Sequence, residues 1–201
     1  MNQILYLVIP CYNEEEVLHE TAKRLFKKIT NMIDNEIISK ESKIVFVNDG
    51  SKDKTWNIIE ELHNKNNIFS GINLSRNRGH QNALLAGLMT AKDYADMTIS
   101  LDADLQDDID VIDKFVEEYY NGSDIVYGVR SSRQTDTFFK RTTALAFYKF
   151  MSGLGVDMIY NHADYRLMSK RALEGLAQFK EVNLFLRGMV PLIGYRYSID
   201  E

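Results

Sequence analysis

The chain carries a single cysteine, Cys11, which rules out an intramolecular disulfide and any zinc site built from several cysteines. A reducing compartment fits that usage. Proline is almost absent, with only Pro10 and Pro191, and no Gly/Ser/Pro-rich or low-complexity tract marks a linker, so one domain is expected. Long hydrophobic runs are missing too: no stretch approaches the roughly 18 apolar residues of a membrane span. The apolar opening MNQILYLVIP is short and runs into three glutamates, Glu14, Glu15 and Glu16, which reads as a first strand rather than a signal peptide. Neither GxxxxGK[ST] nor GxGxxG occurs, which excludes the two common glycine-rich phosphate fingerprints. Basic charge is in deficit, 24 Lys and Arg against 29 Asp and Glu for a net charge of −5, and no long basic run exists to suit nucleic acid.

What the 201 residues do contain is enough apolar material for an ordinary core, 45% hydrophobic against 26% charged. The charge is unevenly placed. Residues 1–129 hold 13 Lys and Arg against 22 Asp and Glu, whereas residues 130–201 hold 11 against 7. Two differently solvated surfaces explain that imbalance; so does a C-terminal third that faces something anionic.

The first two-thirds alternates short β-rich runs with helical patterns. Strands are predicted at residues 4–9, 44–47, 69–74, 98–101 and 125–129. Between them, helices are expected at 17–33, around Trp56–Leu62 with Asp53 as N-cap, at 81–91 and at 109–119. Such alternation implies βαβ units and a mostly parallel sheet flanked by helices, an α/β fold of Rossmann-like type. Residues 130–201 break the rhythm with an aromatic and basic helix near 138–151, a short strand around Tyr165–Met168 and an apolar segment, Val182–Ile193. Ligands of parallel α/β sheets sit beyond the carboxyl ends of the strands. Four polar segments occupy that place: PCYNEEE, NDGS, SRNRGHQN and DADLQDD.

SLDADLQDD packs four carboxylates and a glutamine into nine positions after an apolar strand. Held together, like charges repel, and a divalent cation inverts that cost. Asp102 and Asp104 are two apart, so in an extended segment they leave one face, and Gln106 would add a neutral oxygen there. Hard cations such as Mg²⁺ keep one or two carboxylates and take the rest from substrate phosphates. Asp107, Asp108 and Asp110 instead suit the N-terminus of the next helix. In PCYNEEE, plain N-capping by Asn13 with acids in the first turn is sufficient explanation by itself. Asp49, Gly50 and Ser51 form a turn at a second polar strand end, a candidate contact for a ribose or base. Arg76, Arg78, Gly79 and His80 lie at a strand-to-helix junction, a candidate place for backbone N–H groups and arginine to receive a diphosphate. Arg130, Arg133, Lys140, Arg141 and Lys149 follow the fifth strand beside Phe138 and Phe139, either as a snorkelling surface helix or as an anion site. Asp164 stands next to Arg166, and Arg187 sits among Phe185, Leu186 and Met189, where a guanidinium calls for an anionic partner.

Together the segments VIPCYNEEE, FVNDGSKDKT, LSRNRGHQNALLAGL, LDADLQDD, DIVYGVR, ADYRLMSK and FLRGMVPLIGYR resemble the family 2 glycosyltransferases of GT-A fold. The likeness is to the polyprenyl-phosphate branch, bactoprenol glucosyltransferases and dolichol-phosphate mannosyltransferases, and covers nearly the whole chain in order. One departure is visible: where the family has proline after DLQD, this chain has Asp108 and Ile109, which alters the helix start rather than the metal ligands. The resemblance implies a nucleotide-sugar donor, UDP-linked with GDP as the alternative. It implies contacts to that donor from Pro10, Tyr12, Asn13, Glu14, Asp49, Ser51, Arg76, Gly79, Gln81, Asp102 and Ala103. Asp104 and Gln106 would hold Mg²⁺ or Mn²⁺ against the diphosphate, and Arg130, Arg133, Arg141 and Arg187 would hold an acceptor phosphate. Residues 1–129 then form a nucleotide-sugar-binding half and 130–201 an acceptor-binding half.

Members of this branch continue into two C-terminal membrane helices. This chain ends at Glu201 with none, so either it is an excerpt of a longer protein or its contact with the cytoplasmic membrane face is peripheral. The expected reaction is an inverting transfer of a sugar to a polyprenyl phosphate, undecaprenyl in a bacterium, for cell-envelope glycosylation. A polysaccharide or teichoic acid hydroxyl is the alternative acceptor. A phosphate acceptor needs cationic positioning, for which Arg130 leads; a hydroxyl needs a base, for which Asp164 is the choice. Asp164 orients Arg166 in the other case. Together with Asp104, these are the expected catalytic residues. A non-catalytic nucleotide-sugar-binding domain is the remaining alternative, whereas a phosphohydrolase would need its DxD after the first strand. Neither the sugar nor the oligomeric state is legible.

Overall fold

The run LYLVIPC forms β1 (Leu5–Cys11), and every residue of it except Tyr6 is buried. Burial on both faces is what makes a parallel strand read as an unbroken apolar run. The computed structural model describes residues 2–129, 162–179 and 186–200. After β1 come α1 (Leu18–Asp34), β2 (Lys43–Asn48), α2 (Thr55–Lys65), β3 (Phe69–Asn73), α3 (His80–Ala91), β4 (Met97–Ser100), α4 (Val111–Tyr120) and β5 (Ile125–Val129). The C-terminal third adds β6 (His162–Ser169), α5 (Lys170–Leu176), α6 (Leu186–Leu192) and β7 (Tyr197–Asp200). The helix expected near 138–151 lies outside the described residues.

Local chemistry sets most of these boundaries. In α1 the buried residues Leu18, Thr21, Ala22, Leu25, Ile29 and Met32 recur at helical spacing and form its inner stripe. Helix α2 begins two residues after Asp53, whose carboxylate still accepts the Thr55 N–H at 3.0 Å. Helix α4 starts at Val111, two residues later than the periodicity predicts, because Ile109 and Asp110 form a turn.

The seven strands are ordered β3-β2-β1-β4-β6-β5-β7. Among the described residues only β6 runs against the rest: β1 pairs in parallel with β2 and β4, β2 with β3 and β5 with β7, while β6 is antiparallel to both β4 and β5. Helices cover both faces. Leu5, Leu7, Ile9, Phe46, Ile99 and Leu167 pack with α1, α2 and α4 on one side. Val8, Val47, Ile125, Tyr127 and Met168 pack with α3, α5 and α6 on the other. Each such large apolar side chain contributes about 1.5–3 kcal/mol on burial. Helix α3 lies close on the sheet at Gly87, where a Cβ would stand 2.4 Å from Val8 Cγ1 and 2.7 Å from Val47 Cγ2. Among the described residues, no helix is long and apolar enough to cross a membrane.

The order of strands fixes where a ligand binds. The chain winds outward from β1 through β2 to β3, then returns to place β4 on the other side of β1, so the sheet has its switch point between β1 and β4. Because β6 is antiparallel, its first residues lie beside the carboxyl end of β4, with Arg166 opposite Ser100. Asp164 is thereby carried to the same sheet end as the DADLQDD turn.

Candidate active site

A cavity of about 510 Å³ opens at that switch point, lined by residues from all four polar segments and from β6. Ten of the predicted site residues line it: Pro10, Tyr12, Glu14, Asp49, Gly79, Gln81, Asp102, Ala103, Asp104 and Asp164. Cys11, Asn77, His80 and Ala83 complete the wall. Asn13, Ser51, Arg76 and Gln106 are not among its lining residues. Arg130, Arg133 and Arg141 lie outside the described residues; Arg187 belongs to α6.

Asn13 and Ser51 serve the loops rather than the cavity wall. Asn13 takes φ 57°, a left-handed turn that asparagine tolerates, and its N–H donates to Ser51 Oγ at 3.0 Å. Its Oδ1 accepts the Lys52 N–H at 2.9 Å, and the Glu14 N–H donates to Thr55 Oγ1 at 2.8 Å. The loops after β1 and β2 are stapled to each other, and α1 starts later, at Leu18, so Asn13 is no N-cap. Asp49 has a related task in the wall. Its buried carboxylate accepts the backbone N–H groups of Arg78 at 2.6 Å and Gly79 at 2.9 Å, which shapes the loop leading into α3. Gly50, at φ 65°, leaves room for that loop, since a Cβ there would stand 2.4 Å from the carbonyl carbon of Arg76.

The DADLQDD segment departs from its expected geometry. Strand β4 ends at Ser100, and Ala103 and Asp104 form a turn, so the carboxylates of Asp102 and Asp104 do not share a face by strand alternation. The turn itself brings both residues to the cavity. Asp104 is exposed and its Oδ1 accepts the Gln106 N–H at 3.2 Å. Of the acids assigned to the next helix, Asp107 is buried well before α4, and Asp108 accepts the Asp110 N–H at 2.9 Å. Asp110 does stand at the N-cap position of α4, makes no side-chain cap bond there, and pairs with Lys28 at 3.2 Å.

Asp164 is the most enclosed carboxylate of the wall after Asp49. Its Oδ1 accepts from Arg166 Nη2 at 2.9 Å and its Oδ2 from Gln81 Nε2 at 3.1 Å. The Gln81 Oε1 in turn accepts the Leu186 N–H at 3.2 Å. His80 Nε2 stands 3.5 Å from Asp164 Oδ2 and 3.9 Å from Asp102 Oδ1. His80 is visible in SRNRGHQN, but nothing in that string says which polar side chain turns inward; the first turn of α3 decides it.

Five carboxylates and no Lys or Arg line the cavity among the described residues. Burial pushes Asp102 above the usual carboxylate range, His80 counters it, and Asp107, Asp164 and Asp104 add to the rise. Glu14 is raised too, by burial first and then by Asp104, Asp53 and Asp102. A raised carboxyl binds its proton more readily in the folded chain, so its contribution to stability falls as pH rises from the ordinary glutamate value of about 4.3 through the raised one. Glu14→Gln is therefore expected to raise the melting temperature at pH 7 and to leave it unchanged at pH 3.5; equal shifts at both pH values would contradict the assignment.

Among the described residues, no group of three or more His, Cys, Asp and Glu is spaced to hold a metal by itself. The donor chemistry nonetheless fits a hard cation of the Mg²⁺ or Mn²⁺ kind. Asp102 and Asp104 offer carboxylate oxygens at one cavity that no Lys or Arg lines among the described residues, and such ions complete their shell with ligand phosphates.

The fold is that of the GT-A glycosyltransferases. The chain matches glucosyl-3-phosphoglycerate synthase from Mycobacterium tuberculosis, solved with Mn²⁺, uridine diphosphate and phosphoglyceric acid, with a TM-score of 0.61 at 14% identity over 98% of this chain and 68% of that one. It matches the mannosyltransferase PcManGT from Pyrobaculum calidifontis, solved with GDP-Man and Mn²⁺, with a TM-score of 0.61 at 16% identity over 100% of this chain and 55% of that one.

Within that fold the chain belongs to glycosyl transferase family 2, whose profile matches residues 6–176. Its relatives include the "uncharacterized glycosyltransferase YkoT" of Bacillus subtilis (strain 168), 55% identical across 96% of this chain and 57% of the relative. They also include the prophage bactoprenol glucosyl transferase homolog of Escherichia coli (strain K12), 39% identical across 97% of this chain and 61% of the relative. The bactoprenol glucosyl transferase of Shigella phage SfV is 37% identical across 97% and 61%. The chain spans 57–61% of the length of these curated relatives.

Proposed function

We propose that the chain is the catalytic domain of an inverting, metal-dependent glycosyltransferase that moves a sugar from a nucleotide sugar, UDP-linked, to a polyprenyl phosphate at the cytoplasmic membrane face. The observation that carries this reading is the meeting of Asp102, Asp104 and Asp164 in one cavity at the sheet's switch point. The relatives named bactoprenol glucosyl transferase support the acceptor, and the neighbour solved with uridine diphosphate and Mn²⁺ supports the donor and cation. Residues 1–129 supply the donor side and 130–201 the acceptor side.

The chain's own residues have distinct tasks in this scheme. Tyr12, Glu14 and the loop ordered by Asp49 receive the nucleoside. Asp102 faces the ribose or sugar, and Asp104, with Gln106 beside it, holds the cation. When bound, that ion neutralises charge developing on the departing diphosphate. A polyprenyl phosphate has a second pKa of roughly 6 and is already anionic near neutral pH, so it attacks the anomeric carbon without a strong base. Cationic positioning is what it needs, and Arg130, Arg133, Arg141 and Arg187 supply it. Asp164 already accepts from Arg166 and Gln81, which suits an orienting group better than a proton acceptor.

The test is incubation of the chain with UDP-glucose, Mg²⁺ or Mn²⁺, and undecaprenyl phosphate. Release of UDP together with a glycosylated lipid phosphate is expected. UDP release that needs a polysaccharide or teichoic acid hydroxyl instead would overturn the acceptor, and nucleotide-sugar binding with no UDP release would leave a non-catalytic domain.

A further inference from the structure

Gln81 links the start of α6 to the Asp164 carboxylate of β6 by side-chain hydrogen bonds, beside the apolar packing those elements share. It lies in the first turn of α3, half-buried in the cavity wall. Its amide is used at both ends, with Nε2 donating to Asp164 Oδ2 at 3.1 Å and Oε1 accepting the Leu186 N–H at 3.2 Å. The orientation of that amide is dictated by its partners. A carboxylate oxygen only accepts and a backbone N–H only donates, so reversing the amide would break both contacts. Leu186 is the first residue of α6, fully buried, and Arg187 is the next residue in the helix. The other oxygen of Asp164 accepts from the buried Arg166, so the path runs from α6 through Gln81 and Asp164 into β6.

We propose that Gln81 is a positioning residue, its amide tying the start of α6 to the Asp164 carboxylate so that this acceptor-side carboxylate is held in its working orientation only while α6 is docked. The inference rests on the transferase reading above. It assigns Gln81 to the acceptor side of the cavity, away from the donor contact that the sequence resemblance implies. Docking of an acceptor against α6 and orientation of Asp164 then become one event. Loss of the tie lowers turnover without loosening the donor.

The experiment compares wild type with Q81M, which keeps the side chain's length and removes both hydrogen bonds. Turnover with UDP-glucose and undecaprenyl phosphate is measured beside hydrogen exchange of the Leu186 amide and UDP affinity by calorimetry. In Q81M, kcat is expected to fall about tenfold or more, the scale of one hydrogen bond to a charged group, with KM for UDP-glucose and UDP affinity within twofold of wild type. Leu186 exchange is expected to rise roughly fivefold to tenfold, the share of a single hydrogen bond. An unchanged kcat, unchanged Leu186 exchange, or a rise in donor KM as large as the fall in kcat would overturn the proposal.

Should Q81M fail to fold, Q81E/D164N reverses one hydrogen bond of the chain and keeps the other. Wild-type-like Leu186 exchange in that variant supports the tie, and fast exchange overturns it. If wild type itself transfers no sugar, the transferase reading fails alone, and the Leu186 exchange still decides whether Gln81 holds α6.

Discussion

Asp104→Ala is expected to abolish metal-dependent transfer while leaving the fold as it is. The expected loss is about a thousandfold or more in kcat, since charge stabilisation by a bound cation is worth several kcal/mol and each 1.36 kcal/mol is tenfold. Stability changes little because Asp104 is exposed on the turn after β4, and its hydrogen bond there is local, from the Gln106 N–H at 3.2 Å. Removal of a surface side chain of this kind stays within about 0.5 kcal/mol. The comparison needs wild type and variant melted side by side and assayed with added Mg²⁺, Mn²⁺ and EDTA. Undiminished turnover of Asp104→Ala in EDTA would remove the cation from the scheme. A melting temperature lowered by many degrees would show instead that the turn depends on this carboxylate.

The same turn shows what a linear reading resolves and what it misses. Strands β1 and β2 are legible because strands buried on both faces are near-continuous apolar runs, β3 is shorter and only partly buried, and the helices keep a 3.6-residue stripe. That the chemistry gathers at strand ends follows from the parallel sheet alone. The backbone between the elements is less legible. Asp102 and Asp104 reach the cavity from a turn that Leu105 completes at φ 50°, a conformation no propensity assigns to leucine. Asn13 and Ser51 resemble ligand contacts because they are polar and follow strands, yet their hydrogen bonds close one loop on the other. His80 and Asn77 enter the wall because of how α3 starts. The direction of β6 and the existence of β7 depend on long-range pairing with β4 and β5 that carries no local signal. Asp164 beside Arg166 is the exception: two opposite charges in an apolar strand are conspicuous in a sequence, because only a paired or working charge belongs there.

That pair gives the second large effect. Asp164→Ala is expected to destabilise the fold by about 3 kcal/mol, the lower end of the range for breaking a buried ion pair. Arg166 is 1% exposed and Asp164 6%, so solvent does not take over the vacated position on the guanidinium. For a domain of this size that corresponds to a fall of about 6–12 °C in melting temperature. Asp164→Asn behaves differently. An amide oxygen still accepts from Arg166, but its nitrogen faces the Gln81 Nε2 donor, and Gln81 cannot reverse without losing the Leu186 N–H. One mismatched contact costs about 1–2 kcal/mol, so the variant folds with a smaller drop, while transfer falls about a hundredfold for want of the anion. Melting and turnover therefore separate the two tasks of this carboxylate. A stable Asp164→Ala would show that Arg166 is held by other groups. A fully active Asp164→Asn would show that the cavity needs the shape of this side chain and not its charge.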